Sequence, residues 1–255
     1  RNKFGTEVKF RVMPGAYGNY SWDNNEKSWF EIEERAVANK TMNYSDYLDC
    51  LEFDLTIETF YNDNIFDEYT GLLYFLDLKV SGFISQIYDM RNKFDKILDG
   101  IYIKFRDGRD NELLNSEIDL INELKKDELL INNLIKHENN ISLGVCKSIM
   151  IFKHMKSLHQ IAKVALIKYI KSNNKLSKSI NNYIYEATEN SLSTKTNLLT
   201  VSNNIESRYY DFIEMKKYNY CVDPDKYFIS SGINLEYSSN DFIVDKYKYL
   251  MKIEP

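Results

Sequence analysis

Chain breakers are scarce in this sequence. Its 255 residues contain nine glycines and three prolines, so long uninterrupted elements are expected, with helices dominating the middle. Cysteine is scarcer still. Cys50, Cys146 and Cys221 are too few for a disulfide framework and show no CxxC spacing, which argues against a zinc or redox centre and allows at most one bridge plus one free thiol. No run of about 20 apolar, uncharged residues occurs, so no transmembrane helix is encoded. The nearest candidate, residues 143–170, is interrupted by lysines. The chain opens on Arg1, as processing or trimming would leave it.

Chemistry-bearing motifs are missing too. There is no GxGxxG, Walker loop, HExxH, GxSxG or kinase-type set, which disfavours phosphate-cradling enzymes and implies no cofactor. His154 and His159 are five residues apart rather than the four that set two imidazoles over one metal on a helix. NDNIFDE at 62–68 lacks the glycine and the terminal glutamate of a calcium loop and reads as an acidic loop. Glu52, Asp54 and Glu58 lie at even spacing in LEFDLTIETFY, residues 51–61. On a strand they face solvent, which gives them no raised pKa for acid catalysis. Four Asn-X-Ser/Thr triplets occur, at Asn19, Asn39, Asn43 and Asn140. A chain this rich in Asn, Ser and Thr yields about three by chance, so they carry no secretory signal. The bias toward Asn, Lys, Ile and Tyr points to AT-rich coding.

What is present is a foldable core: 44% of the residues are hydrophobic and 14% aromatic, enough for one large domain or two small ones. TEVKFRVM, residues 6–13, alternates Val8, Phe10 and Val12 and predicts a strand, followed by a loop over 13–25. LEFDLTIETFY alternates Leu51, Phe53, Leu55 and Ile57 and predicts a second strand. From about residue 67 the period lengthens: Leu73, Leu76, Val80, Phe83, Ile87, Phe94 and Ile97 predict one long helix up to Gly100. IYIKF at 101–105 fits either its last turn or a short strand, and RDGRD after it fits a turn. A second helix is expected over 111–138, and a third from an N-cap at Ser142 to Ser172.

A fourth helix is predicted from a seam of three- and four-residue steps: Ile180, Ile184, Ala187, Ser191, Thr194, Leu198, Val201, Ile205, Arg208, Phe212 and Met215. This heptad register implies a coiled-coil-like rod of roughly 60 Å. Ser191 and Thr194 interrupt it, either bonding back to the preceding turn or forming a polar layer that fixes register. KYFISSG, INLEYSS and the terminal KYKYLMKIE alternate and read as strands. The expected fold is therefore mainly α, of the α+β class: a bundle of about four long helices (67–217) and a β-rich lobe of one small sheet built from both termini (1–66 and 218–255).

Net charge is −5 and the pI near 5.4, which argues against a generic nucleic-acid-binding domain, but the charges are segregated. Between Met42 and Leu78 lie nine acids, Asp46, Asp49, Glu52, Asp54, Glu58, Asp63, Asp67, Glu68 and Asp77, and no Lys or Arg. Between Asn139 and Tyr185 lie Lys147, Lys153, Lys156, Lys163, Lys168, Lys171, Lys175 and Lys178, and no acid. Lys153, Lys156, Lys163, Lys168 and Lys171 fall within a helical arc of roughly 140° beside the apolar arc. This stripe, with Lys175 and Lys178, is the candidate binding face. It either faces water and the chain's own acids or meets a partner. A protein partner or self-association fits best, which makes the chain a non-catalytic scaffold. A peripheral protein on anionic lipid is the alternative, and an enzyme with a dispersed site, marked by a shifted carboxyl or histidine in a deep pocket, is a third. Nucleic acid ranks last, because the stripe has few interleaved aromatics and no arginine.

Overall fold

The computed structural model describes residues 3–22, 25–126, 142–195 and 204–237. Among them the chain is mostly helical, with eight helices and two small antiparallel sheets, one from N-terminal and one from C-terminal strands. It divides into two compact units, one of residues 1–53, 102–145 and 253–255 and the other of residues 54–101 and 146–252.

In the first unit, β1 (Glu7–Trp22) pairs antiparallel with β2 (Asn25–Ala38). The strand expected over 6–13 is present, but the loop expected after it is not. The ladder runs on through a register shift between Val12 and Tyr17, where Gly15 takes φ +78°. Gly15 and its neighbours form an irregularity within a longer hairpin rather than its end. Helix α1 (Tyr44–Phe60) starts at a reciprocal cap: the Asp46 backbone N–H donates to Asn43 Oδ1 and the Asn43 N–H to Asp46 Oδ2, both at 3.0 Å, satisfying two groups the first turn leaves open. Later in the chain, α4 (Lys96–Asn111) contributes the buried Tyr102 and Phe105, and α5 (Glu117–Lys126) contributes Leu120 and Leu124. Arg11 is buried among the carboxylates of Glu33 and Glu112.

Two expectations fail here. LEFDLTIETFY is helical, not a strand. Its buried positions are Glu52, Leu55, Thr56, Thr59 and Phe60, a three- and four-residue spacing that its polar members hide when only apolar residues are counted. Glu52 is accordingly 4% exposed rather than solvent-facing. In the second expected helix, Ile118, placed on the apolar stripe, is 70% exposed. That helix begins at Glu117, capped by Ser116. Leu114 before it instead exchanges 2.8 Å backbone hydrogen bonds with Phe10 of β1, and residues 127–138 lie outside the described residues.

The second unit holds α2 (Asp67–Phe75), α3 (Val80–Phe94), α6 (Leu143–Ser172, from Cys146 on), α7 (Lys178–Lys195), β3 (Asn204–Tyr210), α8 (Phe212–Lys216) and β4 (Phe228–Tyr237). Its core is built from Leu55, Phe66, Leu72, Phe83, Ile87, Leu158, Leu166, Ile184 and Phe212, none more than 1% exposed. Three helices replace the single one expected over 67–100. The first break falls where Asp77 takes φ +52°, and the second at Asp95, whose carboxylate accepts the Ile97 N–H at 2.7 Å and so starts α4. IYIKF and RDGRD lie inside α4. Ser142 caps α6 as predicted, accepting from the Val145 N–H at 3.3 Å.

The fourth expected helix is interrupted. Ile180, Ile184, Ala187 and Ser191 are buried on α7, Leu198 and Val201 lie outside the described residues, and Ile205 and Arg208 sit on β3, paired antiparallel with β4. A three-residue step places two residues on one side of a helix but on opposite faces of a strand. Ile205 is thus 69% exposed. Among the described residues, in place of one sheet from both termini there are two separate two-stranded sheets, β1–β2 and β3–β4. β4 takes in residues 228–232 of KYFISSG and 233–237 of INLEYSS, while residues 238–239 and KYKYLMKIE lie outside the described residues.

Candidate functional site

Helix α6 buries Met150, Ile151, Met155, Leu158, Ile161, Ala162, Ala165, Leu166 and Ile170 at helical spacing, so the opposite side is fixed toward solvent. The exposed ridge there is Lys153, Lys156, Gln160, Val164, Lys168 and Lys171. It is less uniform than a straight wheel implies, because the helix is kinked at His154 (φ −132°, ψ 27°). Lys153 precedes the kink and the other four lysines of the stripe follow it. Lys163 is half-buried, its ammonium 4.8 Å from the centre of the Tyr185 ring, a cation–π contact. Lys175, past the end of the helix, donates to the carbonyl oxygens of Leu76 and Asp77 and so satisfies acceptors left open at the end of α2. Lys178 is exposed in the first turn of α7.

Lys147 departs from this set. It is 7% exposed, with its ammonium 2.6 Å from Asp63 Oδ2 and 3.0 Å from Glu58 Oε2. Part of the basic run is therefore spent on the chain's own acidic run. Among the described residues no carboxylate lies within ion-pair distance of Lys153, Lys156, Lys163, Lys168, Lys171, Lys175 or Lys178.

A second polar constellation is buried. On the inner side of α7, Thr188, Asn190, Ser191 and Lys195 are at most 3% exposed, and all four reach residues 65–69. Thr188 shares a 2.6 Å hydrogen bond with the Tyr69 hydroxyl, Asn190 Nδ2 donates to Glu68 Oε1 at 3.3 Å, and Ser191 Oγ donates to the Ile65 carbonyl at 3.2 Å. Lys195 Nζ donates to that carbonyl at 2.6 Å and to Asp67 Oδ1 and Glu68 Oε2 at 2.7 Å. Its three donors have three acceptors, the condition for burying an ammonium. Of the two polar seam residues, Ser191 is thus a layer residue, and Thr194 bonds back to the Asn190 carbonyl at 2.9 Å.

One lysine faces two carboxylates, and burial makes an uncompensated charge costly. Burial, with the Asp67 charge beside it, pushes the Glu68 carboxyl up to about 8 against the pull of Lys195. Burial alone would raise Asp67 too, but Lys195 and a hydrogen bond from Glu68 outweigh it and hold Asp67 low. Lys195 itself is held above its ordinary value, because the two carboxyl groups outweigh its burial. Next to the cluster, burial pushes His159 down to about 4. Its Nδ1–H donates to the Met155 carbonyl at 2.9 Å, its ring lies 4.8 Å from that of Phe66, and Nε2 has no partner among the described residues.

Both shifted groups are sealed in: Glu68 is 1% and His159 0% exposed. Burial is the first cause of each shift. A cavity of about 470 Å³ lies in the first unit, lined by Phe4, Thr6, Ala38, Lys40 and Met42 among others. The three cysteines form no disulfide; Cys50 and Cys221 are exposed and Cys146 is buried. Among the described residues no cluster of His, Cys, Asp and Glu is placed to hold a metal ion, and no helix is long and apolar enough to cross a membrane. No family model, no curated protein and no solved structure matches the chain.

The segregation of lysines was visible in the sequence, but the buried cluster was not. Lys195 sits in STKTN and reads as solvated. The available signal was its four-residue step from Ser191 and seven from Thr188, on the same arc as Ile184.

Proposed function

We propose that this protein is a non-catalytic interaction module whose helical scaffold presents the outer ridge of α6 to an acidic partner protein. The observation that supports this is the set of exposed lysines, Lys153, Lys156, Lys168, Lys171 and Lys178, with no carboxylate at ion-pair distance among the described residues, while Lys147 and Lys195 each hold two acids. Val164, 37% exposed between Lys156 and Lys168, adds an apolar contact at the middle of the ridge. Self-association through this ridge alone is disfavoured. A two-fold copy laid antiparallel on it sets Lys153 against Lys171 and Lys156 against Lys168, and like charges repel. A lipid surface is a poorer match, because interfacial helices bury an apolar face in the bilayer and that face of α6 is committed to the core. Only the lysine attraction remains for a membrane, up to about 1 kcal/mol per side chain and screened by salt.

The test is selection from a displayed peptide library, followed by binding of the selected peptides to wild type and to Lys156→Glu/Lys168→Glu/Lys171→Glu at low and high salt. Acidic sequences that bind wild type, weaken in salt and fail on the folded triple variant support the proposal. Equal binding by that variant removes the ridge from it. Co-sedimentation with anionic but not neutral vesicles, without acidic peptide binding, replaces it with the membrane reading.

A further inference from the structure

The four buried polar side chains of α7 meet residues 65–69 as one unit. Thr188 reaches Tyr69, Asn190 reaches Glu68, Ser191 reaches Ile65, and Lys195 reaches Ile65, Asp67 and Glu68. The contacts thus tie the last two turns of α7 to the start of α2 and the residue pair before it. Helix α2 has no side-chain cap at Phe66, so Asp67 and Glu68 in its first turn carry the favourable interaction with the helix N-terminus. Lys195 then supplies the counter-charge that lets Glu68 be buried beside the partly exposed Asp67. The arrangement has one more acid than base.

We propose that Lys195, Asp67 and Glu68 form a proton-holding latch, which fixes the end of α7 on the start of α2 while its two carboxyl groups retain one proton and releases it when that proton leaves. With the proton on Glu68 the three groups sum to zero. When the O–H bond breaks, its electron pair stays on the carboxylate, the proton passes to solvent and the three groups sum to −1, with Glu68 buried and Asp67 27% exposed. The surroundings offer little to offset that charge. On α2 the next ionisable group is the Tyr69 phenol, on α7 it is Tyr183, whose hydroxyl donates to the Glu68 carbonyl at 3.3 Å, and on β3 it is Tyr210. All three are held above the ordinary phenol value by burial first. On α6 the group is His159, kept neutral by burial. On α8 it is Lys216, which acts on Asp67 and is itself exposed.

The hinge of the device is the Ile65 carbonyl. It accepts from both Ser191 and Lys195, so loss of the lysine contact leaves it with the longer Ser191 bond alone. Opening is therefore cooperative over 65–69 and 188–195 and leaves α3 and the apolar face of α6 packed on Phe83, Ile87, Leu158 and Leu166.

Amide hydrogen exchange on the full chain as a function of pH, corrected for intrinsic base catalysis, tests this. In wild type, amides of 65–69 and 188–195 are expected to speed up by roughly tenfold per pH unit as pH rises toward about 8 and to level off above it, while those of α3 and α6 do not. Glu68→Gln, which is neutral at every pH, is expected to abolish that acceleration. Uniform exchange across the unit, no acceleration in wild type, or the same acceleration in Glu68→Gln overturns the latch. Should Glu68→Gln fail to fold, carbon-13 spectra of wild-type carboxyl groups decide: a glutamate still protonated at neutral pH supports the latch, and complete ionisation of all glutamates overturns it.

Discussion

The Lys147 ammonium lies 2.6 Å from the Asp63 carboxylate, with the two side chains 8% and 3% exposed. Glu58 completes the group at 3.0 Å. The sequence's acidic and basic runs thus become internal partners at Lys147, the acidic run meets Lys195 at a second point, and among the described residues the outer lysines of α6 have no carboxylate at ion-pair distance. Removing one member of a buried pair strands the other, so Lys147→Met is expected to cost about 3–5 kcal/mol in urea unfolding. Lys147→Met/Asp63→Asn is expected to recover part of that loss, because the stranded charge is gone. A single-variant loss below about 1 kcal/mol, the range of solvated pairs, would show that the group is hydrated.

Two helical glycines separate packing from propensity. A Cβ on Gly71 of α2 would overlap the backbone carbonyl of Asn219, whereas one on Gly100 of α4 meets nothing within 4 Å. Gly71→Ala is therefore expected to lose about 1–3 kcal/mol from forced backbone movement, and Gly100→Ala to gain about 0.5–1 kcal/mol from helix propensity. Thermal melts of the two variants shifted in the same direction would contradict this assignment.

The helix α6, its Ser142 cap and the first half of β1 were legible because their signals are local: a capping serine, an apolar arc and an alternation. Helix α1 was not. Its buried face includes Glu52, Thr56 and Thr59, polar residues that drop out of an apolar count, and what remains of LEFDLTIETFY happens to alternate. The heptad seam failed for a complementary reason. Spacing cannot reveal that residues 204–210 find a strand partner at 228–237, since pairing across about twenty residues is decided by tertiary contact. Charge segregation made the exposed positions of Lys153, Lys156, Lys168 and Lys171 legible, but not the kink at His154 or the burial of Lys147. Both depend on what lies across from α6.

Position along the seam gives a direct comparison. Ile184 is fully buried on α7, while Ile205, three heptads further on, is 69% exposed on β3. Ile184→Ala is expected to cost about 2–5 kcal/mol as a buried truncation, and Ile205→Ala to stay within about 0.5 kcal/mol as a surface change. Comparable losses at both sites in denaturant unfolding would restore the continuous helical register.

The shifted groups also set a pH dependence of stability. Glu68 is raised from its ordinary value to about 8 by burial, so its contribution is present in full below the unfolded-state value and is lost as pH rises through about 8. His159 is lowered to about 4, again by burial, so its contribution is present above the unfolded-state histidine value and is lost as pH falls through about 4. Between about pH 4.5 and 6.5 the two slopes are opposite and cancel. Above that window the histidine is neutral in both states and only Glu68 acts, which predicts a fall of roughly 1.4 kcal/mol per pH unit up to about pH 8. Glu68→Gln is expected to flatten that fall and to expose the histidine slope below pH 6.5 as a rise of stability with pH. Urea midpoints of both proteins across this range provide the measurement. A wild-type midpoint that holds level from about pH 6.5 to 8 would mean that the Lys195 cluster binds no extra proton.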